Sequence, residues 1–78
     1  METLNACHLL CPLPVIRVQD RVKSMQAGEI LEVICTDPGT VHDIPTWCRI
    51  NGHRLIECEQ DEYEFRFQLE VCRETVRE

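Results

Sequence analysis

Positive charge is scarce in this sequence. Eight Lys and Arg stand against 14 Asp and Glu, a formal net charge of −6 over 78 residues. A chain of that sign is repelled by phosphate backbones, so direct nucleic-acid binding is not expected. The acid gathers in residues 55–78, with 3 basic against 8 acidic side chains, which suits protein partners that carry basic patches. No apolar run is long enough to span a bilayer. Met1-Glu2-Thr3-Leu4 offers no basic leader region, and Pro12 and Pro14 interrupt the apolar stretch that a secretory signal needs. The expectation is a cytoplasmic chain with no membrane association. Also missing are a phosphate-binding loop, a nucleophilic triad, paired carboxylates, repeats and low-complexity segments. What is left is one small domain, residues 1–78, near the lower limit for a self-sufficient core.

Cysteine, by contrast, is plentiful: Cys7, Cys11, Cys35, Cys48, Cys58 and Cys72. In a reducing compartment they read as thiols rather than as a disulfide framework. They form no C-x2-C pair, and with His8, His42 and His53 they show no zinc-ligand spacing, so no metal is expected. The stretch that stands out is Cys11-Pro12-Leu13-Pro14, followed by an amphipathic helix over residues 15–25. Proline belongs in the first turn of a helix, where the N–H it lacks would have no partner. That spacing makes Cys11 the N-cap, Pro12 the first helical residue and Pro14 the third. A sulfur there faces the positive end of the helix dipole and the free N–H groups of Leu13 and Val15. Helix N-termini are among the sites where a cysteine pKa falls from about 8.5 to roughly 3.5–7.5. Cys11 is therefore expected to be an exposed, activated thiol, a nucleophile or sulfur-bearing group.

Along the chain, residues 3–7 predict a first strand. In the helix over 15–25, Val15, Val18, Val22 and Met25 form the buried stripe, and Ala27-Gly28 supplies the stop. Residues 29–35 predict a second strand with Leu31, Val33 and Cys35 on one face. Asp37-Pro38-Gly39 ends it and starts a second helix, with Asp37 as N-cap and Asp43 as a first-turn residue complementing the dipole. Val41, Ile44, Trp47 and Cys48 keep helical spacing up to Asn51-Gly52, while Pro45 predicts an irregular first turn or a kink. Strands follow over 53–60 and 63–71, joined at Asp61-Glu62. In the last one Tyr63, Phe65, Phe67, Leu69 and Val71 alternate with Glu64, Arg66, Gln68 and Glu70. The tail after about residue 72 is expected to fray.

The order is βαβαββ. Polar alternation in the last strand leaves one sheet face to solvent, so both helices pack on the other. This is an α/β two-layer sandwich with a four-stranded mixed sheet. If the first two strands are parallel, both helix N-termini lie along one sheet edge and Cys11 neighbours Asp37-Pro38-Gly39. A carboxylate there opposes the dipole and raises a thiol pKa. Cys35, Cys48 and Cys58 fall in line with apolar neighbours and read as structural. Cys7, four residues before Cys11, offers the alternative of a thiol redox module closing a Cys7–Cys11 disulfide.

These residues resemble the TusA/SirA-like family of small sulfur-carrier proteins. The likeness rests on Cys11-Pro12-Leu13-Pro14, Gly28-Glu29-x-Leu31, Asp37-Pro38-Gly39, Asp43-Ile44-Pro45-x-Trp47-Cys48 and Gly52-His53-x-Leu55, and it covers nearly the whole chain. It implies that Cys11 accepts a sulfane sulfur as a persulfide, with Pro12, Leu13 and Pro14 as the supporting motif, and hands it to another protein. That is a sulfurtransferase-type carrier rather than a self-contained enzyme, with no cofactor beyond the transient persulfide. The implied donor is a cysteine desulfurase or a rhodanese-type protein. The implied destination is 2-thiouridine formation in tRNA, molybdenum-cofactor supply or sulfur oxidation. Such exchange needs a presented sulfur and a docking surface. Leu10 and Leu13 are the candidate apolar contacts, with Arg17 and Arg21 adding charge. The chain departs from the family pattern at Asn5, where an acidic residue is usual, and at His8, where a glycine is usual. Both departures bear on partner choice.

Overall fold

In the computed structural model, which describes residues 1–72, the elements are β1 (Glu2–Ala6), α1 (Leu13–Lys23), β2 (Ile30–Cys35), α2 (Thr40–Ile50), β3 (Arg54–Gln60) and β4 (Phe65–Glu70). The strands form one mixed sheet in the order β1-β2-β4-β3, with β1 parallel to β2 and β4 antiparallel to both of its neighbours. The expectation for the tail after Cys72 lies outside the described residues.

Period-two alternation decides which face is buried. Leu31, Val33 and Cys35 of β2 and Phe67 and Leu69 of β4 are fully buried, and Leu4 and Ala6 of β1 join them. The registers stack these in rows, Leu4 beside Val33 and Phe67, Ala6 beside Cys35. Residues of the opposite phase make a polar face, on which Thr3, Glu32, Gln68 and Glu57 share a row. Against the apolar face α1 sets Pro14, Val18 and Val22, and α2 sets Thr40, Ile44 and Cys48. The strand and helix side chains merge into one core. Each large side chain in it contributes about 1.5–3 kcal/mol by leaving water. The architecture is the predicted two-layer sandwich.

Several boundaries differ from the sequence reading, each for a local reason. α1 begins two residues early and stops at Lys23. Ser24 takes the C-cap position and its hydroxyl donates to Arg21 O at 2.9 Å, a side-chain bond that competes with the helical one. Met25 is buried although it follows the helix, while Val15 is half-buried and Pro14 takes its place in the stripe. α2 continues unbroken across Pro45, and its irregularity lies at the start. There Val41 N–H reaches Pro38 O and His42 N–H reaches Gly39 O, both at 3.1 Å. Cys58 is exposed rather than structural. A bulge at Ile56 shifts Cys58 into the row of Phe67, but β3 is a sheet edge, exposed at every residue after Leu55, and Cys58 is left uncovered there. The β3–β4 turn has no glycine because Asp61 closes it, its Oδ1 accepting the N–H groups of Tyr63 and Glu64 at 2.8 Å each.

Candidate functional site

Parallel pairing of β1 and β2 sends both chains out of the same sheet edge, so the turns leading into α1 and α2 meet. After β1, Cys7 N–H donates to Asn5 Oδ1 at 2.9 Å, and His8 adopts φ 64°. His8 N–H donates to Thr36 Oγ1 at 2.8 Å, fastening this turn to the residue that follows β2. Leu13 N–H then donates to Leu10 O at 2.8 Å and closes the turn that carries Cys11. The Cys11–Pro12 peptide is cis.

Cys11 stands one residue before the N-cap of α1. Pro12 is the N-cap residue and Pro14 the second helical residue, each one place further out than the spacing predicted. The reason is the Leu10–Leu13 turn, which also occupies an N–H that was expected to be free. The predicted closeness of Cys11 to Asp37-Pro38-Gly39 is observed: Cys11 N–H donates to Asp37 Oδ2 at 2.8 Å. Asp37 Oδ1 also takes Gly39 N–H at 3.1 Å. Gly39 rather than Asp37 holds the N-cap position of α2, so Asp37 serves the helix from two residues further out. Asp43 lies in the first turn of α2, and Cys11 Sγ donates to its Oδ2 at 3.0 Å.

That contact overturns the expected acidification. The Asp43 hydrogen bond raises the Cys11 thiol above its ordinary range, with partial desolvation and the charges of Asp43 and Asp37 adding to it. A helix N-terminus presents roughly half an elementary charge. Here it faces two full carboxylate charges, one of them at hydrogen-bond distance. The carboxylates win. The form favoured at Cys11 is the thiol that donates to Asp43. Its presentation stands unchanged: the side chain is exposed, beside the start of a helix.

A groove of about 360 Å³ opens beside the thiol, with Pro12, Val15, His42, Trp47 and Ile50 among its lining residues. Trp47 is steadied by stacking on His53 at a ring separation of 5.0 Å. Leu10 and Leu13 are 73% and 43% exposed. Ile16 and Ile50, exposed on α1 and α2, escaped the sequence reading. Their signal was present, since both are apolar residues off the buried stripe of an amphipathic helix. Arg17 is exposed midway along α1. Arg21 sits in its last turn, at the opposite end from Cys11, and pairs with Glu2 at 3.2 Å.

The other thiols have different surroundings. Burial pushes Cys35 and Cys48 up to about 11. Cys7 is half-buried and donates from Sγ to Ile34 O at 3.8 Å. Burial and the Glu64 charge raise it, against the lowering effect of Arg66. Cys7 and Cys11 thus answer to separate sets of partners. Among the described residues no group of three His, Cys, Asp or Glu side chains could hold a metal ion, and no helix is long and apolar enough to cross a membrane.

The crystal structure of a SirA-like protein from Desulfitobacterium hafniense matches this fold with a TM-score of 0.79 at 20% identity, covering 94% of this chain and 100% of that one. The likeness extends the argument for the architecture. The sequence itself matches the family model of sulfurtransferase TusA over residues 2–71, a span that contains both helix starts and all four strands. This chain belongs to the TusA family of sulfurtransferases.

Proposed function

We propose that the chain is a sulfur carrier in which Cys11 accepts a sulfane sulfur as a persulfide and relays it to an acceptor protein. The observation that carries this reading is an exposed thiol held at the mouth shared by two helix starts, with an apolar groove beside it. Family membership supports sulfur transfer in general. The exchange follows thiol–disulfide chemistry: Sγ attacks a donor persulfide, and a second thiol later removes the sulfur. It calls for no cofactor beyond the transient persulfide.

The donor in this reading is a cysteine desulfurase or a rhodanese-type protein. The acceptor belongs to a relay such as tRNA 2-thiouridine synthesis, molybdenum-cofactor supply or sulfur oxidation. Leu10 and Leu13 are the contact residues nearest Cys11, with Arg17 and then Arg21 offering charge further along α1. A reducing cytoplasm suits a carrier whose working thiol must stay free.

Incubation with a cysteine desulfurase and cysteine, followed by intact-mass measurement and peptide mapping, tests the proposal. The expected result is one added sulfur atom on the Cys11 peptide, total loss of uptake in Cys11→Ser and retained uptake in Cys7→Ser. Loss of two hydrogens with a Cys7–Cys11 disulfide would make the chain a thiol redox module instead.

A further inference from the structure

We propose that Asp43 distinguishes the empty carrier from the loaded one: it holds unloaded Cys11 through the S–H hydrogen bond and loses its hold once Sγ carries a second sulfur. The inference rests on the carrier reading above. A thiol Sγ has one hydrogen, and here that hydrogen is directed to Asp43 Oδ2 across 3.0 Å. In a persulfide Sγ is bonded to Cβ and to the outer sulfur and has no hydrogen to give. The same contact then sets lone pairs against a carboxylate. The outer sulfur, a stronger acid than the parent thiol, is an anion near Asp43 and Asp37 and is repelled by both.

The backbone does not follow, because Asp37 Oδ2 holds Cys11 N–H at 2.8 Å. Loading therefore turns the side chain, carrying the outer sulfur away from α2. The titratable groups around Sγ are Asp43 and His42 from α2 and Asp37 from the β2–α2 loop. The α1 side contributes Pro12 and Val15, which do not titrate. Both carboxylates act in the same direction on the empty thiol, which stays protonated and slow towards electrophiles until a donor arrives.

The transfer step balances. Sγ attacks the outer sulfur of the donor persulfide, R–S–S⁻, forming the new S–S bond. The donor S–S bond breaks with its electron pair going to the donor's inner sulfur. The proton leaving Sγ passes by Asp43 Oδ2 and ends on that new thiolate, giving R–SH. A carboxylate is a much weaker base than a thiolate, so the proton does not rest on Asp43 but leaves Sγ as the new S–S bond forms and the donor's thiolate appears. The sulfur moves as a neutral atom, with no net oxidation or reduction.

The test compares wild type with Asp43→Asn, which keeps the acceptor oxygen and removes the charge, and with Asp43→Ser. Each is alkylated with iodoacetamide across pH, empty and after loading with glutathione persulfide, and read by intact mass. Expected for both variants is about tenfold faster alkylation of the empty form at pH 7, with the profile moved to lower pH. The loaded forms should react at equal rates. Equal rates for the empty forms overturn the proposal, as does a loaded-form difference as large as the empty-form one. A wild-type chain that takes up no sulfur overturns the carrier reading and the release step together. The empty-form profile then still decides whether Asp43 holds the thiol.

Discussion

The two helices start side by side and are built from opposite materials. α1 opens with Cys11-Pro12-Leu13-Pro14, has no acidic residue in its first turn and, among the described residues, no side-chain bond from its N-cap. α2 opens with Asp37-Pro38-Gly39-Thr40 and has Asp43 in its first turn. It is closed by side chains, Asp37 Oδ1 accepting from Gly39 N–H and Thr40 Oγ1 donating to Asp37 O. One start supplies donors and the other acceptors. The bonds from Cys11 N–H to Asp37 and from Sγ to Asp43 are the result. A dipole argument confined to α1 therefore gets the sign of the thiol's shift wrong, because the charges that matter belong to the neighbouring helix.

The contrast can be undone in graded steps. The largest effect is expected from Ile44→Ala, which empties a fully buried site one residue beyond Asp43. It should cost about 2–5 kcal/mol in urea denaturation, enough to loosen α2 and bring Cys11 reactivity close to that of an unfolded chain. Asp37→Ala removes the acceptor shared by the two starts and should cost about 1–2 kcal/mol. Hydrogen exchange should then quicken at the Cys11 and Gly39 amides while the core amides of β2 and β4 hold. His8→Gly bears on the turn before Cys11. A left-handed residue with a side chain costs roughly 1–2 kcal/mol, and the extra freedom of unfolded glycine offsets about half of that. A net gain of about 0.5–1 kcal/mol in thermal or urea unfolding is expected.

The smallest effect concerns Asp61, a carboxylate satisfied by backbone N–H groups where Asp43 is satisfied by a thiol. The bonds from Tyr63 and Glu64 hold its carboxyl below the usual range. The unfolded pKa is about 3.9, so the ionised form favours the fold above that pH, and the contribution is lost as pH falls through the lower native value. The stability advantage of wild type over Asp61→Asn should therefore shrink below about pH 4. Matched urea titrations at pH 6 and pH 3 read it directly.

Much of the fold was legible because its signals are short-range. The alternation from Phe65 to Glu70 and the triplet Leu31, Val33, Cys35 mark faces without reference to any other part of the chain. His8 was visible only as a departure from the pattern the resemblance implies, and its φ of 64° lies in the left-handed region that glycine adopts most readily. Cys58 was misread because strand order is a tertiary property: β3 lies at the sheet edge, where even the row of Phe67 is left uncovered. The end of α1 was misread because the Ser24 hydroxyl bond to Arg21 O competes with a glycine stop that looked sufficient. Ile16 and Ile50 drew no assignment from the sequence, although two isoleucines off the buried stripe of their helices are themselves a signal.

Residue order alone settles the six elements, the apolar face of the sheet and the presence of a cysteine where a proline-bounded helix begins. Periods of two and 3.6, and the backbone limits of proline, act over a few neighbours and need nothing else. The protonation of that cysteine is settled elsewhere. Asp43 is 32 positions away in the chain and reaches Sγ only because parallel pairing of β1 with β2 sets both helix starts on one edge of the sheet. Charge acts through space, so folding decides which carboxylate the thiol meets.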